Sequence, residues 1–165
     1  MTEKKINLYL NLFFSLILGL WITLSFTPMI SPNEIISQLS AKYLYGLTCH
    51  QISDRCFGFD GISMLICSRC FGIYTGLIAG ILLFSVSKIR SRFDGLMFSS
   101  QLIILILFAA PFCFDIILSK SAMYNSGNAI RFVTGFFLTI PFSFFIKSSL
   151  TNLSKEIYYK TNYAK

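Results

Sequence analysis

The sequence is poor in charge: Asp, Glu, Lys and Arg make up 13% of its 165 residues, against about a quarter in water-soluble domains. With 55% hydrophobic residues and a mean hydropathy of +0.68, that shortage excludes an ordinary soluble globule and requires much of the chain to face lipid. Internal repeats, low-complexity tracts and linkers are absent as well, so one integral membrane domain over residues 1–165 is expected. Nor is there a basic helix, an aromatic RNA-binding motif or a zinc finger spaced for a duplex, and the net charge of +7 carries no nucleic-acid reading. The basic residues flank apolar runs instead, where they orient helices and meet the head groups of the lipid bilayer.

What the chain has is long apolar segments. A hydrocarbon core of about 30 Å takes roughly 20 apolar residues per helix, and the sequence predicts spans at about 6–30, 70–87, 96–118 and 130–145. The first follows Lys4 and Lys5 as a secretory signal would. It is longer than a signal core, lacks a small-x-small exit and ends at Thr27-Pro28, so an uncleaved helix is expected. Ser31-Pro32-Asn33-Glu34 has the form of a capping box. It predicts a short amphipathic helix to about Leu47, with Ile35, Ile36, Leu39 and Tyr43 towards the membrane. Residues 48–70 read as an irregular loop, and the stretch from Lys147 onward as a polar, basic tail. The fold class is therefore all-α, a polytopic membrane protein with four transmembrane helices and one short extra helix.

Assigned to alternate loops, Lys4, Lys5, Lys88, Arg90, Arg92, Lys147, Lys155, Lys160 and Lys165 fall on one side. Lys42, Arg55, Arg69, Lys120 and Arg131 fall on the other. The positive-inside rule then places both termini in the cytoplasm and the cysteine-rich loop outside a cytoplasmic membrane.

That loop holds four of the five cysteines: Cys49, beside the sole histidine His50, then Cys56, then Cys67 and Cys70. Thiols at i and i+3 on the first turn of a helix point in similar directions, and the positive end of the helix dipole favours their thiolates. A closed zinc site needs four N or S ligands, and Cys67 with Cys70 supplies one pair. Spacing alone leaves the other pair open among Cys49, His50 and Cys56, and it leaves metal, disulfide and redox readings open together. Cys113, within the third span, reads as a small buried apolar residue.

Cys49-His50-Gln51, Arg55, Cys67-x-Arg69-Cys70 and Gly72-Ile73-Tyr74-x-Gly76 resemble the predicted membrane-protein family of domain of unknown function 2085. Pro111 with Asp115, then Asn128, Arg131 and Thr134-Gly135, resemble that family's later elements. The resemblance covers about residues 48–135 and implies a shared site, but it supplies no reaction. Cys56 departs from the pattern, where a Ser or similar residue is expected. The resemblance therefore favours Cys49, His50, Cys67 and Cys70 as the metal set, with Cys56 the weaker candidate.

Asp115 near the end of the third span and Arg131 near the start of the fourth are expected at one membrane level, close enough to pair. With Asn128, and with Thr134 assisting, they form a candidate polar site within the membrane. Gly72, Gly76 and Gly80 recur every fourth residue, a small-residue face for close helix packing, against either another helix of the chain or a second copy in a homo-oligomer. Three functions follow as candidates: a zinc-binding membrane protein, a thiol-disulfide oxidoreductase using Cys67 and Cys70, or a small-solute transporter centred on Asp115 and Arg131. Against the last two stand the absence of a thioredoxin-like domain, of an evident quinone site and of an inverted repeat.

Overall fold

The computed structural model describes residues 2–30, 35–59, 61–121 and 124–163. Helix α1 (Glu3–Leu24) is followed by a single turn, α2 (Thr27–Ile30), and by α3 (Ile35–Gly46). A 3-10 turn, Ser53–Arg55, leads into strands β1 (Cys56–Phe59) and β2 (Ile62–Cys67). Then come α4 (Ser68–Ser85), α5 (Ser87–Asp94), α6 (Phe98–Lys120) and α7 (Asn128–Tyr163). Four of these, α1, α4, α6 and α7, are long and apolar enough to cross a membrane. The protein is an all-α membrane protein with one small antiparallel hairpin.

Helices α4 and α7 form the central pair, α1 packs on both, and α6 lies against α7. The glycine face explains how closely the central pair approaches. A Cβ on Gly72 would collide with the Phe132 carbonyl, one on Gly76 with Thr139, and one on Gly80 with Ser143. The face that small residues prepare thus receives α7 of the same chain, and the Thr139 hydroxyl donates across the seam to the Ile73 carbonyl at 3.2 Å. Elsewhere the helices turn apolar residues outward, as lipid-facing helices do. In α6 the only buried residue is Asp115.

Three differences from the sequence reading have physical causes. The stretch expected to be irregular contains the β1–β2 hairpin, in which Cys56 pairs with Cys67, Gly58 with Ser63 and Phe59 with Ile62. Its turn uses Gly61 at φ +80°, where glycine carries no steric penalty. Met64, Leu65 and Ile66 of β2 are buried against Tyr45 and Cys49, with Trp21, Phe26 and Phe71 around them, and Leu65 N–H donates to the Ser25 carbonyl at 3.1 Å. The hairpin therefore caps the helices as a small core of its own. Second, the fourth helix does not end near residue 145 but runs on to Tyr163. Lys147, Thr151 and Ser154 are buried on its inner face, so the residues expected to form a tail carry a helical stripe that is polar instead of apolar. Third, α5 occupies the loop after the second span.

The short helix α3 lies where it was expected, with Leu39 and Tyr43 strongly exposed. The proposed capping box, Ser31 to Glu34, lies outside the described residues, as do the side chains of Ile35 and Ile36.

Candidate metal centre

The hairpin and the first turn of α4 bring Cys49, Cys67 and Cys70 together. Their three sulfurs lie within 4.8 Å of one another. Zinc–sulfur bonds of about 2.3 Å in a tetrahedron put ligand sulfurs about 3.8 Å apart, so the cluster has the size a single ion needs. All five cysteines are free thiols. Cys67 occupies the N-cap of α4, and no side chain caps that helix. Its backbone N–H donates to the Cys49 sulfur at 3.2 Å.

Cys49 is the most polarised of the three. The thiols of Cys67 and Cys70, together with the N–H groups of Gln51 and Cys67, hydrogen-bond to its sulfur. They hold its pKa well below the ordinary thiol range although burial opposes them. Gln51 adopts φ +49°, a left-handed conformation uncommon for a non-glycine residue, in the turn that carries this N–H. Its side chain fixes the turn by donating to the Lys42 carbonyl at 2.8 Å.

Cys56 stands apart. Its thiol donates to the Ile52 carbonyl at 3.2 Å, and burial, with the Cys49 and Cys67 sulfurs nearby, pushes it up to about 11. A protonated, hydrogen-bonded thiol is a poor ligand, and Cys56 lies outside the three-sulfur group. His50 is exposed and also lies outside that group. It lines the same cavity of about 240 Å³ as the three cysteines, together with Arg55, Arg69 and Arg131, while Ile73 and Phe112 form an apolar wall.

The polar residues within the membrane are arranged differently from the expected Asp115–Arg131 pair. Asp115 Oδ2 accepts from Arg69, from Nε at 2.8 Å and also from Nη2. Among the described residues Asp115 Oδ1, also buried, has no hydrogen-bond partner. Arg131 is held by Ser126 Oγ at 2.9 Å, Asn128 Oδ1 at 3.1 Å and Asn125 Oδ1 at 3.3 Å. Asn128 is the hub: its amide donates to the Cys56 carbonyl at 2.9 Å, and its oxygen also accepts from Ser68 at 3.3 Å. Among the described residues the Thr134 hydroxyl bonds back to the Arg131 carbonyl of its own helix, and Cys113 is exposed on α6 and not buried as expected.

The sequence suggests Arg69 and Arg55 as positive charge near the thiols, but not the pairing of Arg69 with Asp115, nor the roles of Ser68, Ser126 and Asn125. Arg69 had a signal, since it lies between Cys67 and Cys70 on the first turn of a span, where an unpaired charge demands a partner. Ser126 and Asn125 precede a span as ordinary loop residues and carry no such signal.

Residues 49–145 match the family described as predicted membrane protein (DUF2085), and the matched stretch opens on Cys49 itself. The chain belongs to this family. An uncharacterized protein, MJ1492, of Methanocaldococcus jannaschii is similar at 33% identity over 103 residues, which cover 62% of this chain and 64% of that protein. The chain thus spans somewhat under two thirds of that relative's length. No solved structure matches. The matched region of the DUF2085 family contains the whole cysteine cluster, α4, α6 and the first half of α7, and leaves out α1 to α3.

Proposed function

We propose that the protein is a membrane-embedded metal-binding protein in which Cys49, Cys67 and Cys70 hold a zinc ion at the outer face of the cytoplasmic membrane, with both termini inside. The observation that carries this reading is the three-sulfur cluster itself. A disulfide consumes two thiols and leaves the third idle, whereas a soft divalent ion uses all three. Backbone N–H groups bonded to the Cys49 sulfur are the kind of outer support that orients and tunes a thiolate ligand. His50, at the rim of the same cavity, is the protein's candidate for the fourth position; a site closed by three cysteines and an external ligand is the alternative. Zinc there would supply Lewis acidity, while the chain's own residues position the sulfurs and lower the Cys49 thiol pKa.

The test is the metal content of detergent-purified protein prepared without chelator, against the Cys67→Ser/Cys70→Ser variant. About one zinc per chain, lost in the variant, supports the reading; metal-free wild-type protein overturns it. His50→Ala separates the two coordinations, since only the closed site weakens.

The lowered pKa of the Cys49 thiol also favours a second reading, thiol–disulfide exchange. In this reaction the Cys49 thiolate attacks a substrate disulfide, releases one substrate thiolate and forms a mixed disulfide that Cys67 or Cys70 resolves. Trapping of a mixed disulfide by a Cys67→Ser/Cys70→Ser chain that keeps its fold would favour exchange over metal binding.

A further inference from the structure

Three guanidinium groups line the cavity that the sulfurs share, and one of them has a carboxylate. Arg69 is committed to Asp115. Arg131 is 5% exposed and is held only by neutral oxygens. Among the described residues neither Arg131 nor Arg55 ion-pairs with any carboxylate. A buried guanidinium without a direct ion pair, beside two further arginines and with Asp115 already bound to Arg69, is costly near a membrane interior, and such groups are commonly matched by a ligand.

The donor inventory says what kind of ligand. An arginine has five N–H donors. In Arg131, Nε is spent on Ser126, one Nη1 donor on Asn128 and one Nη2 donor on Asn125. One N–H remains on each terminal nitrogen, available to a further acceptor such as an oxyanion. A second cavity of about 390 Å³ shares Ile52, Arg55 and Arg131 with the first, and adds Ser119, Tyr124 and Asn125 with a single carboxylate, Asp54. Helices α4 and α7 both begin at this end, which brings two positive dipole ends to the field against the one negative end of α6, whose last turn carries Ser119.

We propose that Arg55 and Arg131 hold a phosphate-type oxyanion at the junction of these two cavities, beside the three-sulfur cluster. The group is either free phosphate entering through the outer cavity or the phosphate of an anionic lipid head group, and the chemistry of the site is the same for both. This site stands on the arginines and does not require the metal.

The test is thermal unfolding of the full chain in detergent, titrated with sodium phosphate against sodium chloride at equal ionic strength. A parallel titration compares dioleoylphosphatidylglycerol with dioleoylphosphatidylcholine in mixed micelles. Saturable stabilisation by phosphate identifies a free oxyanion, and stabilisation by phosphatidylglycerol alone identifies a head group. In either case Arg55→Gln, which alters an exposed side chain, raises the half-saturating concentration about tenfold or more, the loss of one charge-assisted contact. Arg131→Lys keeps the charge, loses the fork and weakens binding likewise. No stabilisation by either probe beyond its control, or binding indifferent to Arg55→Gln, overturns the proposal. So does loss of phosphate binding in a folded Cys67→Ser/Cys70→Ser chain, because the anion would then sit on the metal and not on the arginines.

Discussion

At one end of the bundle Lys147, 3% exposed, places its ammonium 3.2 Å from Asn7 Oδ1. Thr151 there accepts from Arg90 at 2.8 Å and from Asn7 at 3.4 Å. At the other end Arg131 and Asp115 are buried to a similar degree beside the sulfurs. Both ends carry buried charge, and they differ in what holds it. The basic end uses long side chains around a cavity of about 450 Å³, which includes exposed groups such as Lys4 and Asp94. Its ion pair, Arg90–Asp94, is loose at 3.5 Å and half in solvent. The cysteine end holds Arg131 with short residues at and just before the start of α7, Asn125, Ser126 and Asn128, and holds Asp115 with Arg69 on the first turn of α4. One end ties helices together, and the other preorganises a site.

On the proposed zinc reading, removing the metal is expected to break that contrast most severely. Apparent binding energies for structural zinc run to about 10 kcal/mol or more, so a chelator should unfold the cysteine end first. Hydrogen–deuterium exchange should show residues 56–67 losing protection while α7 around residues 143–151 keeps it. Uniform loss at both ends would show that the ends are not separable. Next in size is Asp115→Asn. Leaving Arg69 buried without its partner costs about 3–5 kcal/mol, whereas Asp94→Asn at the basic end costs less than about 1 kcal/mol. Denaturant unfolding of both variants, with Asp115→Asn/Arg69→Gln recovering part of the loss, checks this ordering.

The glycine seam runs between the two ends and lets them be compared on one helix. At Gly72 a Cβ meets the Phe132 backbone, while at Gly80 the nearest atoms belong to the Ser143 side chain. Gly72→Ala should therefore cost about 1–3 kcal/mol by overpacking and loosen the turn carrying Cys67 and Cys70, lowering metal affinity. Gly80→Ala, whose Cβ meets both Oγ and Cβ of buried Ser143, should cost a similar amount but leave metal affinity unchanged; equal affinities of the two variants in a competition titration would contradict this.

The smallest effect concerns Tyr45, whose hydroxyl donates to the Trp21 carbonyl. Burial first, then Tyr74, raises it to about 12. A raised pKa means that its contribution is complete below the unfolded value of about 10 and is lost as pH climbs towards 12. An ultraviolet titration should show one phenol ionising late, and Tyr45→Phe should remove that late step.

The sequence made the four spans legible because lipid contact demands unbroken apolar runs, and it made the cysteine grouping legible because Cys67 and Cys70 share a helix turn. It concealed the hairpin, whose buried Met64–Ile66 segment is too short to show a clear alternation beside the Gly61 turn. It concealed the continuation of α7 because the buried stripe there is Lys147, Thr151 and Ser154, and burial is usually sought in apolar periodicity. The partner of Asp115 was hidden for a different reason: proximity along the chain favours Arg131, and only the packing of α4 brings Arg69 to it.

The solitary buried carboxylate of α6 has a bearing on biogenesis. With a mean hydropathy of 2.6 over its most apolar stretch, α6 can enter the bilayer unaided, but almost nothing in its apolar surface distinguishes a docked from an undocked position among lipids. Beyond its packing on α7, the docked position is marked by polar ties: the ion pair of Asp115 to Arg69, which sits between two of the clustered cysteines, and the Ser119 hydroxyl, which meets Arg69 and Ser126. An α6 that has entered the bilayer therefore takes its place beside the cysteine cluster largely through polar groups.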